Sequence, residues 1–244
     1  YSSATPSEVH LRYQLSVYSH SPTPTDVAPA ASGANFVGYL RSPIGLGQAS
    51  RSLLECAAAV NLATAAYSID TRETSDQPPL TDVHPPFPVS IFGVNADQIY
   101  PIEDLLGAQF YRGHYNIGYW FWELAQFPAQ WQPAFDRYDE IWVATRFVQA
   151  AIRDHTEKPV IRIPLSVEVS LPPHSSRADF GLPESAFIVL YIFDALGTFE
   201  RKNPRGLVEA FRQALSRQPS GPPAPLVIKA SNLHTAPQDA ERLR

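Results

Sequence analysis

Three groups of residues have types and spacing that could do chemistry. The first is Asp194-Ala195-Leu196-Gly197-Thr198-Phe199-Glu200-Arg201-Lys202-Asn203-Pro204. Asparagine caps helix N-termini well and proline suits the first helical position, so a helix is expected to start at Pro204. Arg201 and Lys202 then stand beside the positive end of that helix, where two cations and free amides suit a diphosphate. Lysine is scarce (Lys158, Lys202 and Lys229 are all of them), which sets Lys202 apart from background charge. The plainer alternative is a solvated basic cap. The second group is Gly38-Tyr39-Leu40-Arg41-Ser42-Pro43-Ile44-Gly45-Leu46-Gly47-Gln48-Ala49-Ser50, where Gly45 and Gly47 lead into a helix. Glycines let backbone approach a ligand closely and helix amides attract anions. Gly45-x-Gly47-x-x-Ser50 is close to a dinucleotide fingerprint, with Asp70 about where a ribose-binding acid falls. That fingerprint has its first glycine directly after the strand, whereas Arg41 and the three residues after it intervene here. A longer, mobile, substrate-facing loop suits the spacing better, and a plain turn stays open. The third group is Tyr119-Trp120-Phe121-Trp122-Glu123-Leu124. Aromatics crowded at a strand end could stack on sugar faces, and Glu123 could serve as acid, base or charge stabiliser. Rim packing is the competing reading. Asn95 and Asp97, after another strand, make a weaker version of the same case.

The elements that must position these residues alternate. Strands are expected at 35–40, 65–70, 89–94, 116–122, 140–144 and 160–163, and helices at 48–63, 99–110 and 146–153, with a short helical patch at 131–135. Runs rich in Val, Ile and aromatics, without polar alternation, predict a parallel sheet covered on both faces. The alternation makes the fold α/β, with right-handed crossovers. Before it, residues 9–17 alternate and residues 19–31 form a Ser/Pro/Thr/Ala run, so real structure is expected from Asn35. A second proline-rich break runs from Pro164 through Pro173. After it comes one βαβ unit: strand 187–193, helix 204–215, a Pro/Gly loop at 220–225 and strand 226–230. One such unit leaves an open edge and an uncovered face. The expected organisation is therefore 1–33 preceding segment and linker, 34–165 first domain, 166–184 linker, and 185–244 the opening of a second domain.

Composition removes several classes. The 244 residues are 44% hydrophobic and 18% charged, with formal charge −5, which excludes a disordered tail and argues against nucleic acid as a partner. No apolar run reaches the ~20 residues of a membrane helix. The seven histidines are scattered without metal-ligand spacing, so no metal site is expected. Neither a nucleophile elbow nor a Walker loop is present. Cys56, the single cysteine, reads as a buried small hydrophobe on the inner face of a helix. A chain without methionine that begins at Tyr1 and stops inside a helix-like run is expected to be a piece of something longer.

Four strings carry a family resemblance. They are Gly38 to Gly47, Tyr115-Asn116-Ile117-Gly118-Tyr119-Trp120-Phe121-Trp122-Glu123-Leu124, Glu140-Ile141-Trp142-Val143-Ala144-Thr145-Arg146-Phe147-Val148, and Phe199-Glu200-Arg201-Lys202-Asn203-Pro204. Together they resemble the retaining GT-B glycosyltransferases of the family-four type, over about residues 35–232. The resemblance implies two Rossmann-like domains, the first holding the acceptor and the second the nucleotide sugar. It implies sugar transfer from a nucleotide diphosphate sugar to a glycan, lipid or other hydroxyl, without metal or other cofactor. Lys202 takes the place of the phosphate-binding lysine. The companion arginine's position is Gly197 here, with Arg201 as the substitute. Trp122 stands where a histidine often ends the strand, and Glu123 matches the acidic neighbour. The acceptor-side loop comprises Arg41, Gly45, Gly47, Asn95 and Trp122. The paired glutamates that hold sugar and ribose would lie beyond Arg244, so the 244 residues alone are expected to be inactive. A cytoplasmic protein with peripheral association at the inner membrane face is implied for a lipid-linked acceptor. Two alternatives stand beside it: a non-catalytic sugar- or partner-binding module of the same fold, and an NAD-dependent Rossmann enzyme.

Overall fold

The computed structural model describes residues 13–18, 32–71, 83–107, 110–169, 174–195, 197, 199–217, 224–235 and 237–242. The linker expected at 19–31, Pro172 and Pro173, and most of the loop expected at 220–225 lie outside the described residues. The chain forms two compact units, Tyr1–Val169 and Ser170–Arg244.

The first unit contains strands β1 (Tyr13–Val17), β2 (Gly33–Gly38), β3 (Ala63–Thr71), β4 (Val89–Gly93), β5 (Tyr115–Trp120), β6 (Glu140–Val143) and β7 (Val160–Arg162). Helices α1 (Gly45–Ala59), α2 (Ile99–Leu106) and α3 (Arg146–Arg153) connect them, with a 3-10 stretch at Ala129–Arg137. The strands form one sheet in the order β1-β3-β2-β4-β5-β6-β7. From β3 to β7 every pairing is parallel, which gives a six-stranded Rossmann-like sheet. Structure starts earlier than Asn35: β1 runs antiparallel along β3, from Tyr13 opposite Thr71 to Val17 opposite Tyr67. An antiparallel edge strand on a parallel sheet is a common arrangement.

Both faces of the sheet are covered, and the strands divide their side chains accordingly. Val37 and Phe92 join the larger core cluster, with Ile102, Phe110, Trp120 and Ile141. Phe36 and Ile91, their chain neighbours, join the cluster on the other face with Leu40, Ala57 and Ile117. Asn35 is fully buried inside this apolar sheet. Its Nδ2 donates to Phe87 O at 2.7 Å and Ser90 Oγ at 3.0 Å, while its Oδ1 accepts from Phe87 N at 3.2 Å. That satisfies a buried amide and ties β2 to the start of β4.

Helix ends differ from the expected ones for local reasons. α1 starts three residues early and stops at Ala59, because Asn61 takes a left-handed φ of 55° and Leu62 N–H returns to Ala57 O at 2.9 Å. α2 ends at Leu106, where Gly107 has φ 73°. Thr145 caps α3, its Oγ1 accepting from Val148 N at 3.2 Å. Cys56 is exposed, not buried. The sheet-facing stripe of α1 centres on Ser50 and Ala57, and Cys56 lies about 100° around the helix from Ala57.

The second unit holds β8 (Val189–Asp194), α4 (Phe199–Lys202), α5 (Pro204–Arg217), β9 (Leu226–Ser231) and α6 (Pro237–Arg242). β8 and β9 pair in parallel through six residues, forming a sheet of two strands. Phe193, Ala195 and Phe199 make its small core.

Candidate functional site

In the first unit the chain turns from β2 to β3 on one side and to β4 on the other. Ligands of open α/β sheets lie at the carboxyl ends of strands beside such a switch. The strands end there in paired glycines, Gly38 opposite Gly93. A Cβ on Gly38 would stand 2.6 Å from Ser50 Oγ, and one on Gly93 would stand 2.1 Å from it. The two glycines thus let α1 sit directly over the switch. Ser50 lay at the end of the sequence fingerprint, but this packing role was invisible without the strand register.

Gly45, Gly47, Arg41, Asn95 and Trp122 all gather at this carboxyl edge. α1 begins at Gly45 behind Ile44, which supplies no side-chain cap. Gly47 is needed by the fold itself, since a Cβ there would meet Tyr39 O at 2.4 Å and Ser42 O at 2.5 Å. Gly45 has nothing within 4 Å of its Cβ position and faces open space. The loop between β2 and α1, expected as a substrate-facing loop or a plain turn, is tied to its helix by Arg51. Arg51 Nη1 donates to Leu40 O at 2.9 Å and Ser42 O at 3.1 Å, and Leu40 is buried. Arg51 carried no sequence signal, because its role depends on the helix folding back over its own entry loop. Arg41 is exposed; its backbone N–H reaches Ser68 Oγ at 3.2 Å and its guanidinium lies 5.7 Å from the Tyr18 ring centre.

Asn95 links two strand ends, its Oδ1 accepting from Phe121 N at 2.8 Å. β5 stops at Trp120, two residues earlier than expected, so Trp122 and Glu123 belong to the following loop. Tyr119 and Trp120 are core residues, Trp120 packing against Phe127, Phe135 and Tyr138. Of the crowded aromatics, only Phe121 and Trp122 remain half-exposed for stacking. Trp122 is itself held: Nε1 donates to Gln126 O at 2.8 Å and its ring stands edge-on to Trp131 at 4.9 Å. The loop encloses a depression of about 530 Å³ bounded by Trp122, Leu124, Phe127 and Pro128. Glu123 is exposed beside it, and Asp97 is exposed with its Oδ2 accepting from Gln98 Nε2 at 3.0 Å. The side chain of Asp70 lies outside the described residues.

Arg201 and Lys202 belong to the second unit. They close α4, whose Phe199 anchors it in the small core. Asn203 takes φ 49° and its Oδ1 accepts from Gly206 N at 3.1 Å, so it caps α5 with Pro204 in the first helical position, as the sequence suggested. The two cations converge on one glycine. A Cβ on Gly197 would stand 3.1 Å from Lys202 Cε and 3.2 Å from Arg201 Nη2. Gly197 N–H returns to Asp194 O at 3.2 Å, at the carboxyl end of β8, while Leu196 and Thr198 lie outside the described residues. Glu200, between the strand and the two cations, is taken by Arg242 at 3.0 Å. The carboxyl's hydrogen bond from its own backbone N–H, together with that to Arg242, holds Glu200 below its ordinary range.

The first unit is thus a Rossmann-like α/β domain with its candidate site at the carboxyl edge of the parallel sheet. No protein-family model matches the sequence, and no curated protein matches it significantly. Among the described residues no group of three His, Cys, Asp or Glu could hold a metal ion, and no helix is long and apolar enough to cross a membrane.

Proposed function

We propose that this chain contributes to a retaining glycosyltransferase of the GT-B type, acting on a nucleotide diphosphate sugar without a metal. The observation that supports this most is the pairing of Arg201 and Lys202 over Gly197. In the family the chain resembles, an arginine occupies the position of Gly197; here Arg201 brings its guanidinium to that glycine from α4. Removing the side chain at 197 makes the room that Arg201 and Lys202 fill.

The step is a front-face displacement. The bond between the anomeric carbon and the diphosphate oxygen breaks as the acceptor oxygen bonds to the same face of that carbon. The departing diphosphate oxygen takes the acceptor hydroxyl's proton. Arg201 and Lys202 neutralise the charge developing on the diphosphate, a preorganised electrostatic role. On the acceptor side, the loop of Arg41, Gly45 and Gly47 and the residues Asn95, Trp122 and Glu123 receive a glycan or lipid-linked hydroxyl. A lipid-linked acceptor brings the protein to the cytoplasmic membrane face by peripheral contact.

Titration of the chain with UDP, GDP and inorganic pyrophosphate tests this. Lys202→Ala should weaken diphosphate binding by about 1.5–3 kcal/mol, the worth of a charge-assisted contact. Unchanged affinity removes Lys202 from the site. One observation favours a second reading, a sugar-binding module without turnover: where the family the chain resembles often carries histidine, this chain holds Trp122, in the loop after β5 and locked to Gln126 and Trp131. Nucleotide-sugar binding without transfer to any acceptor by the intact protein would select it.

A further inference from the structure

The second unit carries cations where its own helices do not favour them. Although the chain's formal charge is −5, α4 and α5 hold Arg201, Lys202, Arg205, Arg212 and Arg217 against Glu200 and Glu209. Arg205 stands in the first turn of α5, which contains no acidic residue. A cation there opposes the positive end of the helix dipole. Neither Arg205 nor Arg212 has an ion-pair or hydrogen-bond partner among the described residues. A local rule broken without a compensating contact marks a place to look for a ligand.

Both arginines line one pocket of about 620 Å³, bounded also by Phe199, Asn203, Val208 and Arg242. That volume is within the range of small-molecule sites, ~300–1,000 Å³. Seven residues apart, Arg205 and Arg212 return to within about 20° of the same face of α5. The two carboxylates of the lining are not equivalent. Glu200 is spent on Arg242, whose guanidinium also lies 4.5 Å from the Phe199 ring centre. Glu209 stands between the two arginines in the chain, accepts from Gln213 Nε2 at 2.9 Å and pairs with neither. Gly206 N–H is already taken by Asn203 Oδ1, so side chains and not the helix end define the site. Two unanswered guanidinium groups suit a phosphate, whose oxygens accept charge-assisted bonds from their planar forks. The carboxylate between them repels a bare anion and accepts from a hydroxyl.

We propose that this pocket binds a phosphate ester of a sugar or other polyol, with its phosphate on Arg205 and Arg212 and a hydroxyl donating to Glu209. The bound phosphate also answers the cation in the first turn of α5. None of Gly197, Arg201 and Lys202 lines the pocket, so the site is separate from the diphosphate residues and does not rest on the glycosyltransfer reading.

The test is isothermal titration of the chain with D-glucose 6-phosphate, glycerol 3-phosphate, inorganic phosphate and D-glucose at constant ionic strength. At least one ester should bind with a Kd below about 1 mM and about tenfold more tightly than inorganic phosphate, while D-glucose does not bind. Arg205→Gln and Arg212→Gln change exposed side chains, so the melting temperature should hold while ester affinity drops about five- to tenfold in each. Lys202→Ala should bind the ester as the parent chain does. The proposal is overturned if no ester binds at about ten times that Kd. Equal affinity for ester and inorganic phosphate also overturns it, because an adventitious ion only would behave that way. So does unchanged ester binding in either arginine variant, and so does its loss in Lys202→Ala, which would move the anion to Gly197.

Discussion

The two units use the same strand–helix chemistry and finish it differently. In the first, each sheet face meets its own layer, so adjacent residues such as Ile91 and Phe92 are both buried on opposite sides. In the second, β8 buries Phe193 against Phe199, while Leu190 and Ile192 on its other face are 58% and 56% exposed. The difference lies in layers, not in strand composition. A parallel strand reads as a continuous apolar run because it expects two covered faces. Val189 to Phe193 has that run, but among the described helices Phe199 of α4 supplies the buried cover. The apolar stabilisation that burial of Leu190 and Ile192 would give, about 1.5–3 kcal/mol each, is not realised within this unit.

The contrast is sharpest at alkaline pH. Burial pushes the phenols of Tyr67 and Tyr119 up to about 12, and those of Tyr111 and Tyr138 higher still. All four belong to the first unit. Below the ordinary phenol value of 10 both folded and unfolded chains hold the protons, and stability is intact. Above 10 the unfolded chain ionises first, so stability falls with rising pH until the folded phenols ionise near 12. All four tryptophans lie in the first unit, so their fluorescence follows it alone. It should report cooperative unfolding within that window. Fluorescence that stays native beyond pH 12 would contradict the burial argument.

Trp120→Ala should come next in size, costing the first unit about 3–5 kcal/mol by cavity formation. Phe193→Ala in the second unit should cost less, since among the described residues only Ala195 and Phe199 share its buried core. Denaturant unfolding of the two variants measures the difference, and equal losses would argue against a thinner second core.

Much of this layering was legible in the sequence. The strands at β2, β4, β5 and β6 announce themselves by apolar runs, and Asn203-Pro204 announces the start of α5. The rest needed tertiary partners. Tyr13–Val17 is too short to declare itself a strand until β3 offers an edge. Gly45-Leu46-Gly47 read as loop because glycine is a poor helix former, yet a first turn needs no internal acceptor for its amides. Trp122 left the strand because Asn95 captures Phe121 N and ends the ladder. A buried asparagine inside a strand, Asn116 as well as Asn35, is visible in the sequence, but its backbone partners are not. For the candidate site, residue types at positions 45, 47, 95, 201 and 202 were readable, but the convergence of Arg201 and Lys202 on Gly197 was not. That depends on α4 being a single turn.

The carboxyl edge of the first unit separates glycines that serve the fold from a glycine that does not. Gly47→Ala should destabilise by about 1–3 kcal/mol, because its Cβ would press on two backbone oxygens. Gly45→Ala meets open space and should stabilise by up to about 0.5–1 kcal/mol through helix propensity. Thermal unfolding reads both. If Gly45→Ala instead destabilises, the entry to α1 is more crowded than the geometry allows.

The smallest effect tests the open face itself. Leu190→Thr with Ile192→Thr keeps a β-branched or strand-compatible side chain at each position while removing apolar surface. On an uncovered face such changes fall within about 0.5 kcal/mol of neutral. They should also reduce concentration-dependent self-association, since contiguous exposed apolar residues drive it. Hydrogen exchange of the β8 amides gives the first quantity and sedimentation the second. A loss above about 1 kcal/mol would mean that these side chains are packed in solution. The two units would then differ in what covers them rather than in how many layers they possess.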